Sequence, residues 1–153
     1  MLPTPKKFTL VAGSAEGPTQ LNAFDNALLE AGIGNLNLLR VSSILPPNCE
    51  YVDRLDIPPG SLTPTAYGAL ISDQPGETIA AAVAVGISAA DSFGVIMEFS
   101  GRCSQGEAEE QVSQMVKHAF AHRQIPLQKI MVKGTEHKVE KIGSVFAAVA
   151  LWY

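Results

Sequence analysis

The sequence predicts an α/β or α+β domain in which two helices cover a mostly β core. Three observations lead to this class. The length of 153 residues suits one domain with a substantial core. Only two segments show helical periodicity, and six or seven apolar segments are typical of strands. With no internal repeat or low-complexity tract, we expect a single domain over residues 1–153.

The chain begins with a predicted strand and a predicted helix. Residues 6–14, "KKFTLVAGS", predict a strand whose apolar part runs from residue 8 to residue 12 and which is expected to end at Gly13. Residues 18–34 predict a helix that Gly32 terminates. One stripe of this helix is apolar and is expected to face the core: Leu21, Phe24, Leu28 and Ala31.

A second strand and a long loop follow. Residues 35–45, "NLNLLRVSSIL", predict one continuous strand that Pro46 and Pro47 close. Residues 48–64 carry three prolines and one glycine and predict a loop. Loops of this length within a compact domain are usually functional or form interfaces.

The second half of the chain predicts strands around one long helix. Strand candidates lie at 65–72, 78–87 and 93–100; in the second, alanines favour a helix, whereas the alternation of Val83, Val85 and Ile87 favours a strand. Residues 104–124 predict a helix opened by a Ser104–Glu107 capping box. Two last strands follow at 127–139 and 142–153. The final one is apolar on both faces, so we expect it to be buried between layers or at a subunit contact.

Composition and charge narrow the range of partners. The net charge is −4, and no cluster of lysine and arginine is denser than the "PKK" at residues 5–7, which argues against nucleic acid. The longest apolar run, 79–90, is shorter than the ~18 residues of a membrane span. We also find no secretory signal, and only two cysteines. We therefore expect a cytoplasmic protein, for which a cationic small molecule is a suitable ligand.

Histidines and cysteines do not form a recognisable reactive motif. His118 and His122 lie four residues apart on the second predicted helix, but no acidic or cysteine ligand stands nearby at a metal-binding spacing. Cys49 and Cys103 have no neighbouring histidine, so we interpret them as small buried side chains. We predict no metal. The glycines at 11–17 lack phosphate-loop spacing and predict a turn.

Glu98 interrupts an apolar predicted strand and allows two interpretations. It alternates with Ile96 and Ser100, so this face of the strand can simply be exposed to solvent, which spacing alone favours. Alternatively, the carboxyl is held in an apolar wall, where its pKa is raised and it can donate a proton near neutral pH.

The adjacent serines Ser42 and Ser43 also allow two interpretations. They can be a strand end with hydroxyls on opposite faces. Alternatively, backbone strain ahead of Pro46 and Pro47 presses the Ser43 hydroxyl against the Ser42 carbonyl. In that case Asn37, six residues upstream, is a candidate for stabilising the resulting oxyanion. Spacing leaves both interpretations open.

Several long segments resemble pyruvoyl-dependent arginine decarboxylases. They are 21–47 with its two serines, 64–87, 94–99 ("GVIMEF") and 146–153 ("FAAVALWY"). The resemblance implies an αββα-type sandwich of two β-sheets flanked by helices. It also implies a homotrimer with active sites at the subunit interfaces.

The same resemblance implies self-cleavage between Ser42 and Ser43. Residues 1–42 become a β chain and residues 43–153 an α chain, which stay folded together. Ser43 is converted into a covalent pyruvoyl group, the only cofactor implied, and Asn37 matches the family's processing asparagine. These positions are the family's, carried over residue by residue.

The implied reaction converts L-arginine to agmatine and carbon dioxide through a Schiff base with the pyruvoyl group. Glu98 matches the family's proton donor and Asp25 its guanidinium-binding aspartate. Two alternatives stay open: the same chemistry on another cationic amino acid, or an unprocessed oligomeric binding protein with the same fold. Agmatine production would serve polyamine synthesis or acid consumption.

Overall fold

The protein is a sandwich of two β-sheets with one helix on each outer face, and the computed structural model describes residues 2–153. The elements in chain order are β1 (Lys7–Glu16), α1 (Gln20–Glu30), β2 (Asn37–Arg40), β3 (Ile44–Leu45), β4 (Glu50–Tyr51), β5 (Leu62–Ser72), β6 (Thr78–Ile87), β7 (Gly94–Gly101), α2 (Gln105–Arg123), β8 (Lys129–Lys138) and β9 (Gly143–Trp152). This α+β sandwich confirms the predicted fold class.

The five-stranded sheet has the order β2-β5-β9-β1-β4. Its central strand, β9, pairs antiparallel with β1 over ten residues and with β5 over eight. Every residue of β9 except Trp152 is buried, because both faces and both edges of the strand are covered. The prediction that the final strand is buried between layers is therefore confirmed.

The four-stranded sheet has the order β3-β7-β6-β8, all antiparallel. The alanines and valines of β6 are fully buried. Ala81, Val83 and Val85 lie in the core between the sheets. The alternate residues Ala80, Ala82 and Ala84 pack under α2. The helix-or-strand ambiguity of this segment is resolved in favour of the strand, because a strand covered on both faces needs apolar residues at every position.

Each helix begins with a side-chain cap. The Thr19 hydroxyl accepts from the Asn22 N–H in α1, and the Ser104 hydroxyl accepts from the Glu107 N–H in α2. Gly32 follows α1 with φ of +87°, a conformation that favours glycine, so the predicted end of this helix is confirmed. α1 covers the outer face of the five-stranded sheet, and α2 covers that of the other.

Three predictions about the first half of the chain are wrong. The first strand was expected to end in a turn at Gly13, but β1 continues through it to Glu16. The single strand expected at 35–45 is two short strands, β2 and β3, that belong to different sheets. Leu21 was expected in the core but is 75% exposed, whereas Leu28 on the same helix is buried. α1 buries Ala23, Ala27 and Leu28, so its buried stripe is rotated away from Leu21.

Within residues 2–153, no helix combines the length and the apolar character needed to cross a membrane.

Candidate active site

The chain crosses from one sheet to the other between β2 and β3, and Ser42 and Ser43 lie on this crossing. Upstream, the Val41 N–H donates to the Thr65 carbonyl of β5, at 3.1 Å. Downstream, the Ser43 carbonyl accepts from the Ile96 N–H of β7, at 2.7 Å. The peptide bond between the serines is therefore anchored to a different sheet on each side.

The two serines differ in exposure. Ser42 is exposed, and Ser43 is half-buried. The register of β3 against β7, in which Ile44 lies opposite Val95, continues upstream so that Ser43 lies opposite Ile96. Ser43 is thus held against the edge of β7 by its backbone.

Glu98 lies two residues beyond Ile96 on β7, about 7 Å along the strand from the contact with Ser43. Its face of β7 turns toward the five-stranded sheet. Ile96 on that face is fully buried, and the Ser100 hydroxyl donates to the Ala69 carbonyl at 3.1 Å. Because this face packs against the other sheet, the interpretation of a solvent-exposed strand face is wrong.

Gly68 of β5 leaves room for Glu98. A Cβ atom on Gly68 would lie 3.3 Å from the Cβ of Glu98 and 3.4 Å from the backbone nitrogen of Phe99. The first distance is shorter than an optimal contact between carbon atoms. The Glu98 side chain therefore packs directly on the backbone of the opposite sheet.

Two opposing effects act on the Glu98 carboxyl. Burial raises its pKa, because the charged form loses contact with water. The positive charge of Arg40 opposes burial and lowers the pKa, but the net direction is upward. The carboxyl therefore keeps its proton to a higher pH than an exposed glutamate does, as a general acid requires.

Arg40 is the last residue of β2 and is held on Tyr67 of β5. Its guanidinium lies 4.4 Å from the centre of the Tyr67 ring, and Nη2 donates to the Tyr67 carbonyl at 2.8 Å. The sequence analysis missed Arg40 and Gly68. The available signal was an arginine within an apolar run, two residues before the serine pair.

Asn37 lies at the opposite end of β2 from the serines. Its Nδ2 atom donates to the Gly60 carbonyl at 2.9 Å. The extended segment from Asn37 to Val41 is about 13 Å long. Within one chain, the structure therefore does not bring the Asn37 amide next to the carbonyl of Ser42.

Asp25 is exposed on α1, and α1 lies on the outer face of the five-stranded sheet. Glu98 lies on the inner side of the same sheet. A sheet therefore stands between Asp25 and Glu98 of one chain. Of the predicted site residues, a single chain brings together Ser42, Ser43 and Glu98, but not Asp25 or Asn37.

Large apolar side chains are exposed around these two separated residues. They are Leu21 (75% exposed) and Leu29 (50%) on α1, Leu39 (43%) on β2 and Leu62 (61%) on β5. Leu21 and Leu29 lie one turn before and after Asp25 on α1, and Leu62 lies opposite Asn37 at the edge of the five-stranded sheet. Exposed apolar surface of this kind is typical of contact sites.

The residues considered as metal ligands or nucleophiles lie elsewhere. The rings of His118 and His122 stack 6.1 Å apart on α2. Among residues 2–153, no three His, Cys, Asp or Glu side chains converge on a point where a metal could bind. Cys49 and Cys103 are unpaired and pack at the margins of two different core clusters.

The fold and this site define a class of protein: an α+β sandwich with a serine pair at the junction of its two sheets and a half-buried acid on the strand that holds the second serine. The family model for pyruvoyl-dependent arginine decarboxylase matches residues 7–152. The chain belongs to this family. It is accordingly a carboxy-lyase of the kind that uses a covalent pyruvoyl group.

Curated relatives cover nearly the whole chain. The pyruvoyl-dependent arginine decarboxylase of Methanocaldococcus jannaschii is 55% identical over 150 residues, which are 97% of this chain and 91% of that protein. The protein of the same name from Methanococcus aeolicus is 49% identical with the same coverage. That from Pyrococcus furiosus is 46% identical over 152 residues, 97% of this chain and 96% of the relative.

Proposed function

We propose that this protein cleaves itself between Ser42 and Ser43 and then converts L-arginine to agmatine and carbon dioxide. The observation that carries this proposal is the crossing between the sheets. It fixes the backbone on both sides of one serine–serine bond and sets that bond beside a half-buried carboxyl whose pKa is raised. A purely structural strand end needs neither the carboxyl nor the two anchors.

Cleavage begins when Ser43 Oγ attacks the Ser42 carbonyl and the peptide C–N bond breaks, which leaves an ester and a free amine. Elimination then removes the Cα proton of residue 43 and breaks its Cβ–Oγ bond, which forms a Cα=Cβ double bond and releases residues 1–42 with a carboxylate. The dehydroalanine that remains tautomerises and is hydrolysed by water, with loss of ammonia, to the pyruvoyl group. Its amide carbonyl is the one that the Ile96 N–H holds at 2.7 Å in the uncut chain.

The two pieces, 1–42 and 43–153, remain one domain in this proposal. β1 and α1 belong to the first piece, and β1 is paired with β9 of the second over ten residues. α1 packs against Phe146 and Ala148 of β9 in one apolar cluster. Cutting the bond between residues 42 and 43 removes none of these contacts.

A pyruvoyl group at position 43 would supply a ketone that can condense with the substrate's α-amine, with loss of water, and can take up the electron pair left when carbon dioxide departs. Glu98 then supplies the proton that the substrate's α-carbon requires. Its position supports this role, because it lies on the strand that holds Ser43, on the face directed between the sheets. Its raised pKa keeps the proton available.

We further propose that the site is completed by a neighbouring copy of the chain in a homotrimer. Asp25 binds the substrate guanidinium in bidentate fashion, and Asn37 assists cleavage; both act on the Ser43 and Glu98 of the next subunit. This proposal is supported by the separation of Asp25 and Asn37 from Ser43 and Glu98 within one chain. In addition, exposed leucines surround Asp25 and Asn37. For the compartment, the cytoplasm remains our proposal, supported by the unpaired Cys49 and Cys103.

Intact mass spectrometry of the purified protein under denaturing conditions tests self-cleavage. We expect two species, 1–42 and 43–153, the second lighter by one ammonia than a chain that begins with serine. Ser43→Ala should remain a single chain, and Ser113→Ala, a matched change on α2, should be cleaved like the wild type. A wild-type protein that stays uncut on prolonged incubation would favour the binding-protein alternative.

The substrate is tested on the cleaved protein with L-arginine, L-ornithine and L-lysine at equal concentration. Carbon dioxide release is measured for each, and cyanoborohydride traps the amino acid on the chain 43–153. We expect release and trapping to be highest with arginine. Higher release and trapping with ornithine or lysine would mean that the protein is a decarboxylase of another cationic amino acid.

A further inference from the structure

The edge of β5 is left open where the chain crosses to the other sheet. β2 pairs with β5 only as far as Arg40 opposite Thr65, and the Val41 N–H makes the last contact with the strand. β5 itself continues to Ser72. The next carbonyl that points to this edge, that of Tyr67, accepts from the Arg40 guanidinium instead of from a neighbouring strand.

Arg40 is fixed in this gap by two independent contacts. Besides the hydrogen bond, its guanidinium lies against the Tyr67 ring, and that ring is itself packed. Its centre is 5.3 Å from that of Phe146 and 6.4 Å from that of Phe24. An arginine held by stacking and by a backbone carbonyl has a defined position although it is exposed.

Arg40 and Glu98 are held on adjacent residues of β5 but on opposite faces of the strand, because the Tyr67 side chain points outward and Gly68 faces inward. Arg40 is bound to Tyr67, and Glu98 packs on Gly68. Among residues 2–153, however, the two do not form an ion pair within 4.0 Å. The Arg40 charge thus acts on the Glu98 carboxyl through space, while its hydrogen-bonding capacity is used on Tyr67.

No other ionisable side chain faces Glu98 from the strands around it. β3, β6 and β9 contain none, and the single one on β5, Tyr67, points to the outer face, where it joins the cluster under α1. The charged residues of α2 lie across the four-stranded sheet. Lys133 of β8 shares the inner face but is two strands away, opposite Val83. Within one chain, Arg40 is therefore the charge that lowers the pKa of this carboxyl.

We propose that Arg40 is a positioning residue for the decarboxylation reaction: held on the Tyr67 carbonyl at the edge of β5, it keeps a permanent positive charge across this edge from Glu98 without binding it. The charge stabilises the carboxylate that forms when Glu98 gives its proton to the substrate's α-carbon. An ion pair would instead keep Glu98 deprotonated and would prevent it from acting as an acid. This inference rests on the proposed role of Glu98 as proton donor.

Two substitutions at position 40 separate the charge from the packing. Arg40→Met keeps an apolar chain of similar length and removes the charge, whereas Arg40→Lys keeps the charge and loses the planar stacking. Arg123→Met is the matched control, because Arg123 also donates to one backbone carbonyl, that of Ala119, but lies at the end of α2. Self-cleavage of each variant is first measured by intact mass.

In Arg40→Met we expect kcat to fall about tenfold, less than the ~100-fold or more expected when an acid itself is removed. The alkaline limb of the pH profile should move to higher pH, because the charge that lowers the pKa of Glu98 is gone. Arg40→Lys should keep a limb close to that of the wild type, and Arg123→Met should not differ from it. A wild-type profile in Arg40→Met, or the same displacement in both Arg40 variants, would overturn the proposal.

A second readout does not depend on turnover. The Glu98 carboxyl is followed by ¹³C NMR in glutamate-labelled protein, with Glu98→Gln to identify its signal, and this works on cleaved or uncut chains. Its titration should move to higher pH in Arg40→Met. An unchanged titration contradicts the inference even if activity falls. If the wild type itself is neither cleaved nor active, it is the proposed function that fails.

Discussion

Gly68 and Glu98 lie face to face across the space between the two sheets, so closely that a methyl group at position 68 would stand 3.3 Å from the Cβ of Glu98. The two residues belong to different sheets, β5 and β7, and each sheet carries one anchor of the serine crossing. A small change in the distance between the sheets therefore changes the position of the acid relative to Ser43.

Gly68→Ala should push Glu98 away by a few tenths of an ångström. We expect self-cleavage to proceed and kcat to fall several-fold, since catalysis is sensitive to displacements of this size. Thermal stability should change little, because alanine restricts the unfolded chain and offsets part of the strain. Gly106→Ala on α2 is the control, since a Cβ there meets only the Ser104 hydroxyl at 4.0 Å. Equal kcat values in the two variants would refute the packing argument.

Glu98→Gln should keep the shape of the site and lose its proton donor. We expect cleavage to be retained and kcat to fall ~100-fold or more, measured as carbon dioxide release. In the wild type, kcat should decrease as the pH rises through the pKa of Glu98, which burial places above the ordinary value. An acidic optimum that survives in Glu98→Gln would mean that another group is the acid.

The same substitution should affect stability in the opposite direction. A carboxyl whose pKa is raised in the folded state stabilises the fold only below the pKa of the unfolded chain, and this contribution is lost as the pH rises. At pH 8, Glu98→Gln should therefore melt above the wild type, by a degree or two. At pH 4 the two should melt together. A lower melting temperature of the variant at pH 8 would show that the buried charge is well compensated.

Glu16 joins the two pieces that cleavage would produce. Its carboxylate accepts from the Lys141 and Ile142 N–H groups at 2.7 and 3.1 Å and lies 2.6 Å from Nε2 of His137. Burial raises its pKa, but the hydrogen bonds from Lys141 and His137 outweigh burial and lower it. All of these partners lie in residues 43–153.

Glu16→Gln should therefore destabilise the protein by about 1–2 kcal/mol at neutral pH, as measured by urea denaturation. A carboxylate with a lowered pKa stabilises above the unfolded pKa and loses this effect as the pH falls through the folded one. The difference between wild type and variant should thus shrink below about pH 4. Glu30→Gln, on the exposed end of α1, is the control. A difference that is constant from pH 7 to pH 3 would contradict this account.

Mixed oligomers test whether two subunits share each site. Asp25→Ala and Glu98→Gln should each be nearly inactive alone. When the two are co-expressed, random mixing gives about a quarter of the sites both intact halves if Asp25 and Glu98 come from different subunits. We expect activity to return to a comparable fraction of the wild type, measured on cleaved protein. No recovery, with mixed oligomers demonstrated by mass, would mean that one chain supplies both residues.

The sequence predicted correctly those elements, such as β6 and α2, whose structure is encoded in their own residues and does not depend on distant segments. The bounds of β6 match the predicted 78–87, and α2 begins after its predicted cap, because burial on both faces and capping leave direct traces in the sequence. The crossing at Ser42 and Ser43 was missed. The residues before and after it are equally apolar, and which sheet each joins depends on β5 and β7, which come later in the chain. The buried setting of Glu98 was undecided for the same reason, since it depends on Gly68, thirty residues away.

The ten-residue pairing of β1 with β9 makes refolding of the proposed cleaved protein different from refolding of the uncut chain. In the uncut chain, β1 finds β9 by closing a loop, so refolding does not depend on protein concentration. If the bond after Ser42 is cut as proposed, the same two strands would belong to separate molecules, and their reassociation after denaturation would be a second-order process governed by mass action. The mature enzyme would then keep its shape chiefly because it opens slowly. Its lifetime, rather than its folding equilibrium, becomes the property on which selection can act.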